Sequence, residues 1–216
     1  MRTSYWAIIA IIAISLAASM YGYPRMGERV ASHWNAQGQV DGYIPKFWGL
    51  FLMPMISIAM FLLFILIPTI DPMKENIGKF RKYFDWFIVL IMTFLLYLHF
   101  LTIAWNLGYR FNFVLLLVPA FGLLFYYAGI LTQNAKRNWF IGIRTPWTMT
   151  SDLVWDKTHR IGGKLFKIAG VIALAGIIIP SVALYFVLIP ALAIAVYTIA
   201  YSYFIYKKET GRPIES

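Results

Sequence analysis

Few side chains in this sequence are equipped for chemistry, and most of them fall in two short segments. The first holds His33 and Asp41, with Trp34 and Asn35 beside the histidine. An imidazole and a carboxylate can share a metal ion, but one of each leaves a four-ligand site short of donors. The pair therefore reads as hydrogen-bonded inside a compact loop, and no metal is expected. The second segment holds Arg144, Asp152, Asp156, His159 and Arg160. A guanidinium, two carboxylates and an imidazole are the groups with which an enzyme could act on lipid headgroups. His99 is the one ionisable residue deep in an apolar stretch, where such residues are functional candidates by default. A lone neutral histidine can equally hydrogen-bond a neighbouring helix, and that reading is preferred. Asp85 sits near the expected start of a helix. The chain has no cysteine, which removes disulfides, thiolate catalysis and sulfur-ligated metals. It also lacks the His-Glu-x-x-His, Gly-x-Ser-x-Gly and phosphate-loop signatures.

The elements that must position these residues are membrane helices. Of 216 residues, 61% are hydrophobic and 13% charged, against roughly 25% charged in a soluble domain. The apolar residues come in unbroken blocks, the length needed to cross about 30 Å of hydrocarbon. We expect an all-α integral membrane protein with about six spans, at Tyr5–Tyr21, Phe47–Pro68, Tyr83–Trp105, Phe111–Leu131, Leu165–Ile179 and Val182–Tyr206. The fifth is short; either its helix begins earlier, near Gly162-Gly163, or the hairpin at Pro180-Ser181 is submerged. The first segment lacks a small-residue cleavage site and ends in Tyr21-Gly22-Tyr23-Pro24, so it reads as a retained anchor. Ser15, Ser19, Gly170 and Gly176 are expected at close helix contacts. We divide the single membrane domain into a two-helix unit, 1–70, and a four-helix unit, 71–216. No internal repeat, low-complexity segment or linker is evident.

The formal charge of +10 invites a nucleic-acid reading, but the basic residues lie between apolar blocks, as topology signals and headgroup contacts do. No direct nucleic-acid contact is expected. With the N-terminus inside, the inner segments carry 15 Lys and Arg, Arg212 among them, and the outer segments 4. The split places both termini in the cytoplasm of a cell-membrane protein.

The second half of the outer loop from Pro24 to Tyr43 is punctuated by glycines and should form consecutive turns, with Asn35 and Asp41 accepting local backbone bonds. The inner loop, 133–164, is long enough to need an explanation. Pro146 pushes Thr145 toward an extended conformation, so Gly142 to Trp147 should be non-helical. Ser151 can cap a short helix from Asp152, in which Asp156 and Arg160 stand one turn apart and can pair. Trp139, Phe140 and Trp147 suit the headgroup region, and the segment reads as amphipathic, sealing the bundle or docking a partner.

The run Asn138-Trp139-Phe140-Ile141-Gly142-Ile143-Arg144-Thr145-Pro146-Trp147-Thr148, followed by Val154-Trp155-Asp156-Lys157-Thr158-His159-Arg160, resembles the signature of the SdpI family. The outer run from Pro24 through His33-Trp34-Asn35 to Asp41-Gly42 is similar to the small domain without assigned function that opens many SdpI-like proteins. The resemblance implies an immunity protein that protects against a secreted peptide toxin and holds a transcriptional repressor at the membrane. It needs no cofactor and is not an enzyme. Under it, Asn138, Trp139, Phe140, Gly142, Arg144, Thr145, Pro146, Trp147, Trp155, His159 and Arg160 form an inner functional surface. His33, Trp34, Asn35 and Asp41 face an outer ligand. A small-molecule transporter or channel, and a headgroup-directed enzyme, are the alternatives.

Reporter fusions at Gln37 and Met149 should score outside and inside respectively; a shared compartment defeats this topology.

Overall fold

The computed structural model describes residues 2–211, so Arg212 lies outside the described residues. The chain forms seven α-helices and one two-stranded hairpin. Helix α1 (Thr3–Gly22) breaks at Pro24 into a single 3-10 turn. Strands β1 (Arg29–Trp34) and β2 (Val40–Pro45) follow, then α2 (Lys46–Ile70), α3 (Lys74–Asn106) and α4 (Phe113–Asn134). The short α5 (Pro146–Thr150) precedes α6 (Asp152–Ala175) and α7 (Tyr185–Thr210). Five helices, α1 to α4 and α7, are long and apolar enough to cross a membrane. Their outward faces carry residues such as Leu62, Leu192 and Val196, all more than 60% exposed, as lipid contact requires. The protein is a helical multi-span membrane protein.

Three expectations need correction here. The outer loop is a β-hairpin, not consecutive turns: β1 and β2 pair antiparallel, with an irregularity between Ala31 and His33. The stretch 133–164 is mostly not a loop. It is the end of α4, an irregular segment at 135–145, α5, and the first half of α6. The helix expected as the fifth span thus starts at Asp152, ten residues before Gly162, and although α6 reaches about 36 Å it is not among the five helices apolar enough to cross. Its first half is charged, and the apolar half begins at Leu165. The return hairpin lies where Pro180 interrupts the chain, in a 3-10 turn at Pro180–Val182. Finally, Pro146 and Trp147 are helical: Pro146 opens α5, where its missing N–H costs nothing. Thr145 is extended as expected, with φ −114° and ψ 163°.

Helix α3 is longer than a bilayer needs and bends at Phe80, where φ is −120°. It therefore runs past the apolar zone, and Asp85 lies well inside it, paired with Arg2 and Arg81. Helices α1, α2 and α3 pack with α4 and the 135–141 segment around Ile8, Ile77, Phe80, Phe84 and Met92. A second core joins α4, α6 and α7 through Val118, Ala173 and Val187. A third seats the hairpin through Val30 on Leu50 and Ile103.

The α4–α6 pair is antiparallel and touches backbone to backbone at two places. A Cβ on Gly129 would stand 2.5 Å from the Gly163 carbonyl oxygen, and one on Gly170 would stand 2.6 Å from that of Gly122. Both contacts are reciprocal, and the glycines are spaced by seven residues on each helix, two turns apart. In lipid, where apolar side chains gain little by leaving their surroundings, such close backbone approach is what holds helices together. We expect Gly129→Val or Gly163→Val to cost about 1–3 kcal/mol through overpacking, read as lowered thermal stability in detergent. Gly78→Ala, on an exposed face of α3 with nothing within 4 Å, should be neutral or slightly stabilising.

Candidate functional site

The candidate residues gather at opposite ends of the bundle. At one end the hairpin turn is built by Asn35. Its side-chain oxygen accepts from the N–H groups of Gln37 and Gln39, both at 3.0 Å, while its backbone pairs with Gln39 and Gly38. Gly38 closes the turn at φ +78°. Asn106, at the end of α3, clamps the strand by accepting from the Ala31 N–H at 2.8 Å and donating to the Ala31 carbonyl at 3.0 Å. His33 Nδ1 and the Asp41 carboxylate meet at 2.5 Å on the exposed side of the hairpin. Trp34 turns inward instead, stacking on Phe113 at 3.9 Å and meeting Trp105 edge-on. Beneath the hairpin is a cavity of about 220 Å³, lined by Ser32, His33, Trp34, Met53, Thr102 and Phe113 among others. Trp34 Nε1 is buried there without a hydrogen-bond partner among the described residues.

The other end gathers Arg2, the α2–α3 turn, the 135–151 segment and the end of α7. The segment hangs on side-chain amides and one carboxylate. Asn138, fully buried, accepts from the N–H groups of Phe140 and Ile141 and donates to the carbonyls of Lys136 and Ile141. Asp71, also buried, accepts from Met73 N–H and, across 68 residues, from Trp139 N–H at 2.9 Å. Asn76 donates to the Arg137 carbonyl at 2.8 Å.

Next comes a unit of Gly142, Trp155 and His159. The Trp155 indole donates to the Ala135 carbonyl at 2.8 Å and stacks on the His159 ring at 3.8 Å. His159 Nδ1–H donates to the Trp155 carbonyl at 2.9 Å, and Nε2 accepts from the Ile143 N–H at 3.0 Å. Both bonds suit the neutral ring, with the proton on Nδ1. His159 lies in the polar first half of α6, and burial pushes its imidazole down to about 4, against weaker raising effects of the Trp155 carbonyl and Asp156. The sign follows: the unfolded chain takes up a proton near 6.5 and the folded one does not. The ring's contribution is complete above that value and is lost as pH falls toward 4. Gly142 has φ +112°, and any Cβ there would run into His159 Nε2.

Thr145 and Thr148 then form a reciprocal cap on α5, and Thr145 Oγ1 reaches Ser202 Oγ of α7 at 3.0 Å. Ser151 caps α6 by accepting from Val154 N–H at 3.3 Å, as expected. Asp156 does not pair with Arg160; the Lys136 side chain lies closer and takes it at 3.5 Å. Asp152 pairs with Arg137 at 2.9 Å. Arg144 donates to the Trp139 carbonyl and is otherwise exposed.

Of the eleven inner-surface residues, Asn138, Thr145, Trp155 and His159 are therefore buried framework, and Gly142 is fixed by its backbone. Trp139, Phe140, Arg144, Pro146 and Arg160 are exposed, and Trp147 is half-buried against Tyr203. The sequence reading missed Asp71, Asn76, Asn106, Thr148 and Ser202. Only Thr148, three residues after a Thr-Pro pair, had a local capping signal. His99 is buried at Ser19 Oγ, 2.9 Å away, and that hydroxyl also reaches the Leu50 carbonyl at 2.6 Å, joining α3 to α1 and α2.

Gly142→Ala should lower stability by about 2–4 kcal/mol, since it adds backbone strain to a collision with a buried ring. Trp139→Ala, at an exposed position, should move it by less than about 0.5 kcal/mol. Pairing Gly142→Ala with His159→Ala in a thermodynamic cycle should return a coupling of about 0.5–3 kcal/mol; strict additivity rules out the contact.

Comparison with known proteins finds similarity in both parts of the chain. Residues 134–202 match the SdpI/YfhL protein family, a range that opens at the end of α4 and closes on Ser202. Residues 10–58 match the domain of unknown function DUF1648 and contain the hairpin. Immunity protein SdpI of Bacillus subtilis (strain 168) is 28% identical over 205 residues, which cover 94% of this chain and 96% of the relative. No solved structure matches. The chain is thus similar to the SdpI/YfhL family over residues 134–202, to DUF1648 over residues 10–58, and to the immunity protein SdpI along nearly its whole length.

Proposed function

We propose that this chain is a membrane immunity protein that confers resistance to a secreted antimicrobial peptide. The observation that carries the reading is its similarity, over 94% of its length, to a protein named for immunity. That length takes in both built ends of the bundle. In this reading both termini are cytoplasmic and the hairpin is outside. The His33–Asp41 pair and the cavity at Trp34 meet the peptide, the unpartnered indole N–H offering a donor to a peptide carbonyl. The exposed set Trp139, Phe140, Arg144 and Trp147 faces the cytoplasm, where a repressor protein is the proposed partner.

The reading is non-enzymatic. A headgroup-directed enzyme would need Asp152, Asp156 and His159 to converge on one cleft. The carboxylates are instead engaged with Arg137 and Lys136, and the imidazole is buried with both nitrogens bonded.

Expression in sensitive cells tests the proposal. Wild type should protect against the peptide to which the Bacillus subtilis relative gives immunity, or another of its class. Arg144→Lys keeps the charge but loses the planar five-donor fork. It should reach normal abundance and yet leave cells as sensitive as those lacking the protein. A degraded mutant makes Arg144 a structural staple. Full protection at normal abundance removes the inner surface from the function.

A further inference from the structure

We infer that the groove between the first turns of α1 and the polar end of α3 is a binding site for the phosphate of an anionic phospholipid. The groove encloses about 470 Å³ and is lined by Arg2, Ser4, Arg81, Lys82, Asp85 and Trp86, with Ala7 and Val89 deeper along the helices. Asp85 is its only carboxylate, against three cations, which leaves a formal charge of +2. Both Asp85 oxygens are already taken, one by Arg81 Nε at 2.6 Å and one by Arg2 Nη1 at 2.8 Å. Arg81 also donates to the Tyr5 hydroxyl at 2.9 Å. The carboxylate thus holds two guanidinium groups in place, and its charge is outweighed by the three cations around it. Donors remain: Arg2 keeps further N–H groups on a side chain about half exposed. Lys82 has no ion-pair or hydrogen-bond partner among the described residues, and Ser4 Oγ is buried with none.

The occupant follows from the surroundings. The groove is polar at the end that carries the terminus and apolar along Ala7 and Val89, which matches a headgroup joined to an acyl chain. Trp86, in its lining, is 57% exposed, and Trp6 on α1 is 59% exposed, as aromatic residues are at headgroup depth. It opens onto the lipid-facing surface of α1 and α3, so the phosphate source is the bilayer. Free phosphate offers the same charge without the chain.

Native mass spectrometry of the purified full chain, in detergent with equimolar phosphatidylglycerol and phosphatidylcholine, tests this. Wild type should retain one phosphatidylglycerol in preference to phosphatidylcholine. Arg2→Gln combined with Lys82→Gln should reduce that retention about tenfold or more, two charges near a membrane surface being removed. Ser4→Ala, which cannot disturb the ion pairs, should weaken it by less. Lys207→Gln with Lys208→Gln should leave it unchanged. Equal retention of the two lipids, or unchanged retention in the double variant, overturns the assignment. Displacement of the lipid by millimolar inorganic phosphate overturns its lipid source.

Discussion

Backbone groups that leave a helix near the bilayer must find partners within the protein, because water is scarce there and an unsatisfied N–H or C=O costs several kcal/mol. Two segments between the long helices, 23–45 with the hairpin and 135–151 with α5, close the two ends of this bundle, and both are organised by that obligation. Asn106 supplies both bonds that Ala31 would otherwise lack. Asn138 closes four bonds around its own neighbourhood, and Asp71 and Asn76 reach across from the α2–α3 turn to Trp139 and Arg137. Short amides and one carboxylate do this well, since they offer donor and acceptor atoms on stems too short to lose much rotamer freedom.

The placement of the helices then follows. Residues 135–141 can lie over the core only because Asp71 and Asn76 fix the α2–α3 turn beside it, and Ile141 and Trp155 complete that core. Helix α6 can begin at Asp152, far ahead of its apolar half, because it leans on α4 through the Gly129–Gly163 and Gly122–Gly170 contacts. A helix whose first half is charged would have little reason to persist toward the bilayer without that neighbour.

This explains what was legible in the sequence. Apolar blocks, the Ser151 cap and the extended Thr145 are local signals and read correctly. The hairpin did not, because its six-residue strands carry Arg29, Ser32, His33 and Asp41 rather than a clean alternation; its register depends on Asn106, distant in sequence. The start of α6 was hidden because hydropathy marks where a helix enters lipid, not where its hydrogen bonds begin. Asp156 was paired with Arg160 on spacing alone, yet Lys136, twenty residues away, occupies it. The motif at 138–148 drew notice for its specificity, but specificity does not separate framework from contact surface. Burial does: Asn138, Thr145 and His159 are inside, and Trp139 and Arg144 are outside.

That separation bears on the coupling between the two ends that the proposed function would require. Helix α3 runs from Asn76, bonded to the 135–151 segment, through its bend at Phe80 to Asn106, bonded to the hairpin. Two turns before Asn106, His99 ties it to Ser19 of α1, whose hydroxyl also reaches α2 at Leu50. A displacement of the hairpin would therefore act on Asn106 and on a shared hydroxyl that has one proton to donate and two carbonyls and an imidazole competing for it. Such an arrangement supports a small number of discrete bonding patterns and not a continuum, which is the physical requirement for carrying a two-state signal across a packed bundle. At the far end of the same helix, beyond the bend at Phe80, Asn76 holds the Arg137 carbonyl and the Trp139 N–H is bound to Asp71 of the α2–α3 turn.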